Sequence, residues 1–170
     1  FTYKKEDIEN ILNASGFVYE NPLVNSVGSA RDYFIAQSDS LFKPNFIVSD
    51  IVTLDNNMAY YGANKANGDD TRPSYAIKHG IQKAADAGYD FSLCDNNGDG
   101  EVEFVYCLYA GYSESSGADA NTIWPHQWKL SSQAGSIKVN GVRCDTYACS
   151  GELVLNQKYE SEIGKVLAGI

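Results

Sequence analysis

Apolar residues recur at helical spacing in three stretches of this chain and at strand spacing in three others. In "TYKKEDIENILNASG", Ile8, Ile11 and Leu12 fall at i, i+3 and i+4 and share one helical face; Thr2 is the candidate cap and Gly16 the stop. "SARDYFIAQS" offers Ser29 as N-cap, followed by Tyr33, Phe34 and Ile35 along a second helix. "DDTRPSYAIKHGIQKAADAG" predicts a helix that starts near Pro73, carries Ile77, Ile81, Ala84 and Ala85 on one face and stops at Gly88. The strand-like runs are "FIVSDIVTL" (46–54), rich in β-branched residues, and "EVEFVYCLYAGY" (101–112), nearly continuous in apolar residues like a strand buried on both faces. "SIKVNGVRCDTYA" predicts two strands joined at Asn140-Gly141, the strongest short hairpin signal present.

This alternation places the chain in the mixed α/β (α+β) class. The expected architecture is a twisted mixed sheet centred on 102–110, with the 73–87 helix packed on it through Ile77 and Ile81. A parallel pairing of 46–54 with 102–110 fits, because the helix between them supplies the crossover. No internal repeat or linker divides residues 1–170, which form one domain or part of one.

Composition narrows the function classes. A chain of 170 residues can bury a core, and 44% hydrophobic with 21% charged residues is ordinary for a globular protein. No apolar run reaches the roughly 18 residues of a membrane span. The N-terminus lacks a basic-then-apolar signal pattern and starts at Phe1, so the chain reads as a mature or excised piece. A formal charge of -9 argues against nucleic-acid partners, whose phosphates call for clustered Lys and Arg. The four cysteines, Cys94, Cys107, Cys144 and Cys149, lack the paired spacing of a zinc finger. Cys107 sits in an apolar run and reads as a buried free thiol, whereas Cys144 and Cys149 could bridge across a bend.

The acidity concentrates its chemistry in "CDNNGDGEVEF" (94–104). Asp95, Asn97 and Asp99 alternate, Gly100 follows, and Glu101 and Glu103 return oxygen donors. An EF-hand matches the first six positions counted from Asp95, but its twelfth would be Tyr106 and its flanks would be helices. An Asx-rich turn facing water would also use these residues. Crowded acids repel one another without a cation, which favours a structural calcium site formed by Asp95, Asn97, Asp99, Glu101 and Glu103. A calcium sensor would need a pair of helices to open.

No catalytic set is complete. His79 falls on the expected exposed side of the third helix, and His126 lies between two tryptophans in "NTIWPHQWKL". The two histidines stand 47 positions apart, so they are not the zinc pair of H-E-x-x-H. There is no G-x-S-x-G elbow and no glycine-rich phosphate loop after a strand.

The blocks "GSARDYFIAQSDSLFKPNF", "MAYYGAN", "YDFSLCDNNGDGEVEFVYCLYAGYSESSGADANTIWPHQW" and "IGKVLAGI" resemble, in order and spacing, the immune inhibitor A-type zinc metallopeptidases in bacterial, Bacteroidetes-like form. The resemblance implies a zincin-like fold, of which this chain is the upper, non-zinc part of the catalytic domain. In that family a segment like "LAGI" leads into a helix bearing H-E-x-x-H, whose histidines bind zinc and whose glutamate acts as general base. No position here matches that motif, so no catalytic or zinc residue is carried over, and this chain alone is expected to be inactive. Zinc is expected only in a full-length parent protein, which would be secreted or cell-surface and act on a peptide or protein substrate. In zincins an edge strand lines the cleft and pairs with extended substrate. The resemblance leaves 122–128 and 147–152 as candidates for that edge, and the second is favoured, with Tyr147, Ser150 and Gly151 as substrate-binding residues and Trp124 and Trp128 as core or cleft-wall packing. Two alternatives stay open: a non-enzymatic calcium-stabilised extracellular binding module, and a degenerate peptidase relative without the zinc helix.

Overall fold

The computed structural model describes residues 1–20 and 25–153, and the chain divides into two compact units. The closing "IGKVLAGI" block lies outside the described residues. Tyr3–Asp50 belongs to the smaller unit; Phe1–Thr2 and the described residues from Ile51 onward belong to the larger.

In the smaller unit, helix α1 (Lys5–Asn13) begins after Lys4, whose backbone N–H donates to the Asp7 carboxylate at 2.8 Å. Asp7 therefore closes the first turn, and Thr2 is not the cap. Strands β1 (Val18–Glu20) and β2 (Asn25–Val27) pair antiparallel with Val18 opposite Val27. Helix α2 (Ala30–Gln37) starts at Ser29 as the sequence predicts. The Ser29 hydroxyl accepts the Asp32 N–H at 3.2 Å, and the Asp32 carboxylate accepts the Ser29 N–H at 3.1 Å, a reciprocal capping box. The strand predicted over 46–54 is absent, and so is its parallel pairing with 102–110. The run is divided between the units at Asp50/Ile51. Its first part is held at Phe46, whose N–H and C=O both bond the Asn13 amide at 2.9 and 2.8 Å. Val52 and Leu54 lie against the larger unit's core. Hydrogen bonds to the Asn13 amide and two half-buried side chains thus stand where a ladder was expected.

The larger unit is built on helix α4 (Pro73–Asp86) and a three-stranded sheet. Ile77 and Ile81 are 1% and 3% exposed, which bears out the apolar face expected for that helix. Each such side chain contributes about 1.5–3 kcal/mol of burial. A short helix α3 (Met58–Gly62) precedes it, with Tyr61 in the same core. The sheet contains β3 (Val105–Tyr112), β4 (His126–Lys129) and β7 (Thr146–Leu153) in the order β3-β7-β4. β7 runs parallel to β3 and antiparallel to β4, so the sheet is mixed.

The sheet is not centred on 102–110: β7 takes the middle, and Phe104 and Tyr106 are 46% and 42% exposed. The continuous apolar run of β3 therefore does not correspond to burial on both faces. The Asn140-Gly141 hairpin is present, joining β5 (Ile137–Val139) to β6 (Val142–Cys144). Its central residues have φ of 49° and 86°, the left-handed pair that Asn-Gly accommodates.

Candidate functional site

Two places carry the chemistry singled out in the sequence: the acidic loop and the strand pair β4–β7. The acidic loop precedes β3 and follows the turn Phe91–Cys94. Asp95 accepts three backbone N–H groups, from Gly98 at 2.8 Å, Asp99 at 3.2 Å and Gly100 at 2.9 Å. Asn97 Oδ1 accepts the Asp99 N–H at 2.9 Å, and Asp99 Oδ1 accepts the Glu101 N–H at 2.9 Å. Glu103 accepts the Asn96 N–H at 3.1 Å, closing the loop from its far end. Asx geometry makes this turn without outside help.

Glu101 differs from the other acids. Its carboxylate pairs with Arg143 at 2.7 Å, and Arg143 also reaches Asp145 at 2.9 Å. Backbone bonds between Arg143 and Gly100 (2.8 Å) and between Val102 and Arg143 (2.9 Å) fasten the loop's end to β6. Among the described residues Asp95, Asp99 and Glu103 have no cationic side-chain partner, and no three His, Cys, Asp or Glu side chains converge on a point. The donors are all hard oxygens, the chemistry calcium prefers.

The second place is built around Tyr147. Its ring is 1% exposed, and its hydroxyl lies 2.9 Å from Ser74 Oγ and 2.7 Å from His126 Nε2. Burial pushes the Tyr147 phenol up to about 12, so it stays a neutral hydroxyl at physiological pH. His126 Nδ1 lies 2.7 Å from the Trp124 carbonyl and 3.4 Å from Cys149 Sγ. The loop before β4 is pinned as well. Trp124 N–H donates to Asp70 at 2.9 Å, and the Tyr109 hydroxyl donates to the Ile123 carbonyl. A Cβ on Gly62 would stand 2.7 Å from the Thr122 carbonyl carbon, so glycine lets α3 approach this loop closely. Burial raises the Asp70 carboxyl against the lowering effects of the Trp124 N–H and of His126.

This geometry corrects the assignment of the edge. Tyr147, Ser150 and Gly151 lie on the central strand, with β3 on one side and β4 on the other. Tyr147 is closed off in the core, and the Ser150 hydroxyl accepts from the Tyr106 hydroxyl at 2.8 Å. Gly151 does accommodate a close backbone, but that backbone is the end of β3 and the residue after it: its missing Cβ would stand 2.8 Å from Ser113 N and 2.9 Å from Gly111 O. The outer strands are β3 and β4; β4 overlaps the competing stretch 122–128, and among the described residues nothing pairs with its other side.

Trp124 and Trp128 are 51% and 58% exposed beside that edge, so they are not core packing. His79 is half-buried rather than a bare surface residue, its Nδ1 lying 3.0 Å from the Tyr61 hydroxyl. All four cysteines are free thiols, and Cys144 and Cys149 form no bridge. Cys107 is free and half-buried, and burial raises it to about 11. The sequence offered no sign of the Ser74–Tyr147 contact, whose members are 73 positions apart. "HQWK" is too short after Pro125 to read as a strand.

Comparison with known proteins adds the family. The model of the immune inhibitor A peptidase M6 catalytic domain matches residues 2–159. A protein of Bacillus thuringiensis subsp. alesti named immune inhibitor A is 24% identical over 157 residues, covering 80% of this chain. The match spans 23% of that relative's length.

Proposed function

Because the chain belongs to the immune inhibitor A (M6) peptidase family, we propose that it is the upper part of a zinc metalloendopeptidase catalytic domain in a longer, secreted protein. It carries no H-E-x-x-H, and no zinc ligand is assigned to its residues. When bound by residues outside this chain, zinc would supply Lewis-acid activation of water and of the peptide carbonyl. The part left to this chain is to bind and orient substrate. An extended peptide adds to the outer side of β4, main chain to main chain, and the exposed Trp124 and Trp128 offer apolar surface beside it.

The observation that carries this reading is β4, the outer strand that runs antiparallel to its neighbour, with β7 on one side and no partner among the described residues on the other. The acidic loop is proposed as a structural calcium site in the same domain, supported by the three carboxylates left without cationic partners. Asp95, Asn97, Asp99 and Glu103 are its side-chain ligands, and Glu101, held by Arg143, contributes through its backbone carbonyl.

The test is cleavage of extended fluorogenic peptides by the full-length polypeptide. Activity that is lost on zinc chelation and restored by added zinc is the expected result. Absence of cleavage by the intact, folded protein overturns the peptidase reading.

A further inference from the structure

The bonds around His126 determine its tautomer and give it a task. The Trp124 carbonyl can only accept, so Nδ1, at 2.7 Å, must carry the proton. In the neutral ring Nε2 is then an acceptor, and the hydroxyl 2.7 Å away, that of Tyr147, must donate to it. Tyr147 has spent its proton, so its oxygen accepts from the Ser74 hydroxyl at 2.9 Å. Cys149 Sγ, 3.4 Å from a protonated Nδ1, is left as a weak acceptor. One directed chain thus runs from Ser74 in α4, through Tyr147 in β7, to the first residue of β4 and the carbonyl two residues before it.

Ser74 and Tyr147 are 2% and 1% exposed, so neither can exchange its partner for bulk water without opening the core. Ser74 is itself anchored, its N–H donating to Gln133 Oε1 at 3.2 Å. The short strand β4 has only four residues of ladder with which to hold its place.

We propose that His126 is a positioning residue for peptide binding: as the Nδ1–H tautomer it ties the outer strand β4 to the buried Tyr147–Ser74 pair and so holds the edge to which substrate adds. This rests on the peptidase reading for its purpose, though the tie itself does not. His126 touches no reacting atom. Its effect passes through the strand's position, so its loss weakens substrate binding before it slows turnover.

The test uses the full-length polypeptide with four substitutions. Tyr147→Phe keeps the ring and removes the bridging hydroxyl. His126→Asn keeps a donor at the Nδ1 place and loses the acceptor, whereas His126→Gln keeps an acceptor at the Nε2 place. Ser74→Ala is the milder probe, removing only the last donor. Hydrogen exchange followed by mass spectrometry reads the 122–130 segment, and peptide kinetics read KM and kcat separately.

The expected result for Tyr147→Phe and His126→Asn is exchange about tenfold faster in that segment, the scale of one buried hydrogen bond. It is accompanied by a several-fold rise in KM with kcat kept, and His126→Gln recovers part of both. Unchanged exchange in 122–130, or acceleration spread evenly over β3 and β7, overturns the proposal. So does a loss confined to kcat. If the wild-type protein cleaves no peptide, the peptidase reading fails instead, and the exchange comparison still decides whether His126 holds the strand.

Discussion

Gly151→Ala separates two accounts of the small residues in "CSGEL". If glycine stands there to admit a substrate backbone, alanine should raise KM and leave the fold untouched. The structure predicts the opposite. The added Cβ would stand 2.8 Å from Ser113 N, 2.9 Å from Gly111 O and 3.1 Å from the Tyr112 carbonyl carbon. All three are backbone atoms, so no side chain can swing aside. They lie where the β3–β7 register shifts between Tyr109 and Tyr112, and β3 must move several tenths of an ångström there. Overpacking of this kind costs about 1–3 kcal/mol. Restricting the unfolded chain by replacing glycine returns about 0.4–1 kcal/mol. The net loss is about 1–2 kcal/mol. At about 2–8 °C per kcal/mol, the span for domains on either side of this unit's size, the melting temperature should fall by about 2–16 °C. Thermal unfolding by circular dichroism measures it. A melting temperature within about 1 °C of wild type would refute the close approach of the two strands, and a rise in KM alone would return Gly151 to the substrate.

Three further outcomes follow from named contacts. Calcium at a hundredfold excess over its dissociation constant should stabilise the wild-type chain by about 2.7 kcal/mol against chelator. Asp99→Ala should abolish that difference, and a wild-type melting curve indifferent to calcium removes the site. Burial pushes the Asp145 carboxyl up, but the Ser131 N–H and hydroxyl and the Arg143 guanidinium outweigh it and hold its pKa below the ordinary carboxylate value. Its stabilisation is therefore complete above about pH 4 and is lost as pH falls through the lowered folded value. The stability gap between wild type and Asp145→Asn should narrow over that acid range, and a constant gap would contradict the assignment. Burial raises Cys107 and Cys144 to about 11 and Cys149 to about 12, so these three thiols should react slowly with a disulfide reagent at neutral pH until denaturant is added. Rapid labelling of all four cysteines in the folded chain would show that core open.

What the sequence determined by itself is what short-range physics decides. Ile77, Ile81 and Ala84 at helical spacing could make one face only, and α4 buries it. Ser29 with Asp32 three residues on is a cap in any context that permits a helix, and Asn140-Gly141 supplies the two left-handed residues a tight hairpin requires. The acidic loop was also legible, because Asx side chains bond backbone groups two to five residues away.

The tertiary structure alone decided strand order. The apolar run of β3 carries no record of whether one neighbour or two will flank it, and β7 took the centre because it pairs with β3 on one side and β4 on the other. The β-branched run 46–54 had the residues of a strand but no ladder partner among the described residues, and propensity without hydrogen-bond partners does not make a sheet. The partners of His126 were decided the same way. Ser74 and Tyr147 are 73 positions apart, and only the packing of α4 on the sheet brings their hydroxyls to 2.9 Å, where a buried donor must find an acceptor.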